Sequence, residues 1–189
     1  MIGLARERGL QRAAKKAARA AGSEANKGFA FVERNLYLTK RYWAWELVWI
    51  TYNVINALSV TFIAPSAQST SGAKFSEAQI NQFILYLAIG TAVWTFLSVV
   101  FDGVTETVTM ERWEGTIEYT FMAPISRITH MIGICSFAIV HGLLMTGVQL
   151  FAMSLFFHMD LSHANWGAVL VLMLVGSISL IGLGTVSAV

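Results

Sequence analysis

Charge is scarce in this sequence. Asp, Glu, Lys and Arg make up 13% of its 189 residues, about half of the roughly 25% usual for a soluble domain, which argues against a freely soluble globular chain. There is one cysteine, Cys135, so no intrachain disulfide and no cysteine-based metal site can form. The two prolines, Pro65 and Pro124, leave long stretches in which nothing interrupts a helix. The chain contains neither a G-x-x-x-x-G-K-[ST] phosphate loop nor an H-E-x-x-H zinc motif; it is therefore not expected to bind or hydrolyse ATP, or to work as a zinc hydrolase. Its basic, alanine-rich start, residues 1–28, has no aromatic residue among the basic ones and no apolar core. That excludes a secretory signal and speaks against nucleic-acid binding; it reads as a basic tail attracted to anionic lipid.

What the chain does have is hydrophobic length. Apolar residues are 56% of the total and mean hydropathy is +0.59. Runs of about 20 apolar residues suffice to cross a bilayer core. The expected fold is therefore all-α, a polytopic helical membrane protein with four spans at about 43–64, 80–101, 130–157 and 166–189. Residues 29–42, with Phe29, Val32, Leu36 and Trp43 on one stripe and Lys27, Arg34 and Arg41 on another, predict a helix in the interface plane. Of the thirteen Lys and Arg, only Lys74 falls on the side opposite the N-terminus. This asymmetry predicts a cytoplasmic N-terminus in a cell membrane. Within the spans, Glu46 lies one turn in from an aromatic belt of Trp43, Trp45 and Trp49. Asn53, Asn56, His141 and Gln149 are the polar side chains expected to face other helices or a translocation path. Ala138 and Gly142 form a small-xxx-small pair suited to close helix approach.

The longest polar interruption is the loop 102–129, which holds five of the eleven acidic residues and is expected to be cytoplasmic. Met110, Trp113, Ile117 and Phe121 recur at helical spacing and predict a short amphipathic helix with Glu111 and Glu118 turned to water. Pro124 should end it, and Ser126 should cap the next helix. Such a helix either lies on the headgroups or docks on a partner protein; periodicity alone leaves both open.

In ERWEGTIEYTFMAPISR, residues 111–127, the chain resembles the permease subunits of type-2 ABC exporters. The matching residues are the core Gly115, Thr116, Ile117 and Glu118, preceded by Glu111 and Glu114, and the exit Pro124, Ile125, Ser126 and Arg127. The resemblance covers roughly residues 29–189. It implies that Met110, Glu111, Trp113, Glu114, Gly115, Thr116, Ile117, Glu118 and Phe121 belong to a coupling helix seated on a separate ATPase subunit, and that residues 29–42 form a connecting helix. It further implies a permease homodimer or heterodimer in the lipid bilayer, no cofactor on this chain, and ATP with Mg on the partner. The family has six spans; with four here, ending at SLIGLGTVSAV, the resemblance implies a C-terminal truncation. The rival expectations are a membrane scaffold whose loop binds a partner, and a metalloenzyme using His130, His141, His158, His163 and Asp160.

Overall fold

The structure is a computed structural model that describes residues 2–66, 76–157 and 165–188, with side chains from residue 22 onward. His158, Asp160 and His163 lie outside the described residues, as does Lys74. The described chain is all-helical: α1 (Ile2–Arg41), α2 (Trp43–Thr61), α3 (Glu77–Trp113), α4 (Thr116–Met122), α5 (Arg127–Phe157) and α6 (Trp166–Ser187). Four helices are long and apolar enough to cross a membrane, namely Trp43–Ser66, Glu77–Trp113, Arg127–Phe157 and Trp166–Ser187. The protein is thus membrane-embedded by length and composition. Large apolar side chains such as Ile55, Leu144, Val171 and Ile178 point outward, as lipid permits and water does not.

α3 and α5 form the central pair; α1 packs on α5, α6 packs on α3, and α2 leans on both. Small residues set how closely α3 and α5 approach. A Cβ on Gly103 would meet the Ala138 Cβ at 3.3 Å, and one on Gly142 would meet Phe96 and Val100 at 3.1 and 3.2 Å. The expected Ala138/Gly142 pair therefore faces α3, where Phe96, Val100, Val104 and Ile134 are fully buried. Hydrophobicity does not draw helices together in lipid, so dispersion contacts of this kind hold the bundle.

Three expectations need correction. First, 102–129 is not one loop. The second span's helix starts from a Ser76–Gln79 capping box and runs on to Trp113, because residues 104–113 contain no Gly or Pro to stop it. It ends where Gly115 adopts a left-handed φ of 69°, a conformation that costs other residues about 1–2 kcal/mol. Met110 and Trp113 therefore sit on α3, while Ile117 and Phe121 sit on α4, so the stripe spans two helices. Second, Glu111 does not face water; it is 5% exposed, turned inward against α1 and α5. Third, nothing separates residues 1–28 from 29–42: α1 is a single helix of 40 residues, as its alanine, arginine and lysine content favours. Its packed face is Glu24, Gly28, Phe31 and Asn35, whereas Phe29 and Leu36 of the anticipated apolar stripe are exposed. Pro124 behaves as expected: α4 ends at Met122 and Ala123 is extended, with φ −71° and ψ 150°. Ser126 likewise caps α5, its Oγ accepting the Thr129 N–H at 3.0 Å.

Candidate functional site

Two places gather polar side chains. The first is a junction where α1 crosses the start of α5 beside the end of α3. The Arg34 guanidinium donates to Glu111 Oε1, and His130 Nε2 lies 2.9 Å from Glu111 Oε2. Glu111 and His130 are almost wholly buried, while the Arg34 side chain keeps 36% exposure. The Phe31 ring meets His130 edge-on at 4.8 Å, and Arg34 lies over the same Phe31 ring at 5.4 Å. One turn further, Thr129 donates to Glu24, and Lys27 donates to the Pro124 carbonyl at 2.9 Å. Lys27 also pairs with Glu24 at 2.7 Å. These bonds hold the Glu24 carboxyl below its ordinary range, the Lys27 bond contributing most and the Thr129 bond next. The helices can come this close because Gly133 faces Phe31 and the Gly28 carbonyl, where a Cβ would lie 2.8 and 2.9 Å from them.

α4 hangs from this junction. None of its residues is buried. It is held at one end by Gly115, whose N–H bonds the Arg112 carbonyl at 3.2 Å, and by Thr116, whose hydroxyl donates to the Glu111 carbonyl at 3.3 Å. At the other end Arg127 lies 4.9 Å over the Phe121 ring. Met110, Trp113, Tyr119 and Phe121 are exposed, Trp113 at 82%; Glu114 and Glu118 are exposed too, and Gly115, Thr116 and Ile117 are half-buried. Of the residues expected to couple, Glu111 alone is committed to the interior. The others lie at the end of α3 (Met110, Trp113), on the turn (Glu114, Gly115) and on α4 (Thr116, Ile117, Glu118, Phe121).

The second place is a cleft of about 390 Å³ between α2, α3 and α5. α2 presents Trp45, Trp49, Tyr52 and Asn56 to it, at helical spacing, flanked by Glu46 and Asn53. The α3 wall is Thr95, Ser98, Asp102 and Glu106, again one stripe, with Trp94 beside it. α5 closes it with His141 and Met145. His141 Nε2 meets Glu46 Oε2 at 3.2 Å, and its ring stacks on Phe137 at 5.6 Å. Three of the four anticipated path residues, Asn53, Asn56 and His141, therefore share one cleft. Gln149 does not: it is fully buried, with Nε2 directed to Met153 Sδ at 4.0 Å.

The sequence reading missed Asp102 and Glu106 as cleft residues, because both were assigned to a loop. The signal was available in the spacing of Thr95, Ser98, Asp102 and Glu106, which continues one helical face past the apolar run. It also missed His130 as the partner of Glu111; a His at the head of a span and a Glu nineteen residues earlier carry no mutual signature. Among the described residues no three His, Cys, Asp or Glu side chains are placed to hold a metal ion. No protein-family model, curated protein or solved structure matches the chain.

Proposed function

We propose that this chain is the permease subunit of a type-2 ABC exporter. It would sit in the cell membrane with its N-terminus and α4 in the cytoplasm and pair with a second permease chain and two ATPase subunits that carry ATP and Mg. The observation that carries the proposal is α4, a seven-residue helix with no buried residue, fixed at both ends to helices able to span a membrane. A short rigid element mounted in this way transmits a push from a docked partner into two spans, while a flexible loop would absorb it. The motif at residues 111–127 that resembles these permeases lies on this element, and the positive-inside asymmetry puts it on the ATPase side. α1 serves as the connecting helix, clamped to the root of the coupling turn through Arg34, Glu111 and His130. Trp113 is the natural anchor in a groove of the ATPase, since buried Trp dominates many interfaces.

The test is co-purification with the ATPase encoded beside this chain, in mild detergent. The expected result is a stable complex that hydrolyses ATP and is lost when residues 116–122 become a Gly/Ser linker. Trp113→Ala should weaken association by roughly 30-fold, as a hot spot of about 2 kcal/mol does, with the permease still eluting as one species. An ATPase that never binds, or binds equally well without α4, sinks the coupling role and favours a scaffold.

A further inference from the structure

The cleft between α2, α3 and α5 carries an inference of its own. We infer that it binds an organic ammonium ion with an apolar body, and that this is the class of cargo the exporter takes. That such an ion is cargo rests on the exporter reading; that it binds does not.

No Lys or Arg lines the cleft, whereas Glu46, Asp102 and Glu106 do. Asp102 and Glu46 both lie near enough to Glu106 to repel its charge. Glu46 has His141 at 3.2 Å, but Asp102 and Glu106 make no ion pair or hydrogen bond among the described residues. Among the described residues neither carboxyl has a cationic partner, so a bound cation would meet no competitor there, in surroundings whose low dielectric strengthens its attraction.

A second, independent observation is Thr95. It is 5% exposed and lines the cleft, and its hydroxyl has no hydrogen-bond partner among the described residues. The hydroxyl is open to the cleft rather than sealed in the protein, so an ammonium N–H or a bridging water can reach it. The third observation is aromatic. Trp45, Trp49 and Tyr52 stand edge to face at 6.3 and 5.8 Å, and with Trp94 on the facing helix they keep 44–69% of their surface free. Aromatic faces attract alkylammonium groups and exclude small, strongly hydrated metal cations. A volume of about 390 Å³ admits a drug-sized ion. Carboxylates, aromatic faces and a free hydroxyl together select an ammonium group carrying hydrocarbon, from either a soluble amphiphile or a choline headgroup.

The experiment uses the full chain without ATPase, purified in maltoside detergent, with tritiated benzyltrimethylammonium as probe. Binding should saturate, and the uncharged isostere neopentylbenzene should not compete. Asp102→Asn with Glu106→Gln should weaken binding by about tenfold or more. Trp94→Leu, at an exposed position, should weaken it several-fold. Each variant is scored only if it elutes as one species; Glu106→Gln alone stands in for the pair if the pair does not. Displacement by short-chain phosphatidylcholine but not phosphatidylglycerol assigns the site to a lipid headgroup, and displacement by neither assigns it to a soluble cation. Absent saturation, equal competition by neopentylbenzene, or carboxamide variants that bind as tightly as the parent each overturn the inference. Cation binding without ATPase association would sink the exporter reading and leave the site standing; the reverse would sink the site alone.

Discussion

Glu111 offers the sharpest perturbation. Its carboxylate is almost wholly buried, with His130 at 2.9 Å. The Arg34 guanidinium donates to the same carboxylate; at about 3 Å the gross attraction between unit charges is about 6 kcal/mol for an effective dielectric of about 20, and burying the carboxylate costs several kcal/mol in return. The intact cluster is therefore near balance, and the energetic asymmetry appears when one partner is lost. Arg34→Ala leaves the buried carboxylate with only the His130 imidazole beside it, and removing one partner of a fully buried pair costs about 3–5 kcal/mol. Because the Arg34 side chain is 36% exposed, water screens part of this, and about 2 kcal/mol is expected. Glu111→Ala should cost less, since the half-exposed Arg34 can turn to solvent. In the double variant no stranded charge remains, so the two effects should fall short of additivity by about 1–2 kcal/mol. Hydrogen exchange along α1 reads this directly, because α1 is joined to α5 through this cluster. A 2 kcal/mol loss corresponds to roughly 30-fold faster exchange around residues 28–35 if exchange follows local opening. Additivity within about 0.5 kcal/mol, or unchanged α1 protection in Arg34→Ala, would refute the reasoning.

Two further outcomes follow from the same junction. Gly133→Ala places a methyl 2.8 Å from the Phe31 Cβ and 2.9 Å from the Gly28 carbonyl, so α1 must shift, at a cost of about 1–3 kcal/mol. Gly28→Ala meets Thr129 only at 3.8 Å and should leave α1 seated; the contrast is read by thermal stability in detergent, and equal effects would disprove the close-approach argument. Glu24 supplies a pH dependence. Its carboxyl titrates below the ordinary 4.5 when α1 is docked, so its contribution is complete above that value and is lost as pH falls through the lower docked one. Exchange near residues 24–28, corrected for intrinsic rate, should be flat from pH 8 to 5 and rise only under more acid conditions, with the rise abolished in Glu24→Gln.

How much of this was readable in advance depends on the kind of signal. The four apolar helices were legible because length and hydropathy are properties of the chain itself. The Pro124 stop and the Ser126 cap were legible because each acts within four residues of its own position. The Ala138/Gly142 pair was legible because close packing in lipid demands small residues. What failed was everything that required knowing which helices touch. Glu111 looks solvated by periodicity, since its partners Arg34 and His130 come from α1 and α5. The apolar stripe of α1 was identified, but the packed face is one of Gly28, Phe31 and Asn35, chosen by the small Gly133 opposite. Boundary placement failed for one local reason as well: Asp102 and Glu106 were counted as loop because they are charged, although after Gly103 no Gly or Pro interrupts the helix before Gly115.

That boundary has a mechanical consequence. Because α3 runs unbroken to Trp113, Glu106 in the cleft and Glu111 in the junction lie on one rigid rod, five residues and about 7.5 Å apart along its axis. Under the proposed exporter reading, a displacement of α4 by a docked ATPase tilts the end of α3 through the Thr116–Glu111 bond. α3 then carries the Asp102/Glu106 wall relative to α2 with no intervening hinge. A flexible loop at residue 102 would have separated the two sites. The small residues Gly103 and Ala138 mark one place where α3 and α5 pack closely, a Cβ on Gly103 meeting that of Ala138 at 3.3 Å. A bulky side chain at Gly103, which lines the cleft and would press on Ala138, should therefore disturb cation binding in the cleft and, through α3, ATPase association at α4 as well, whereas cleft variants such as Glu106→Gln should change binding alone.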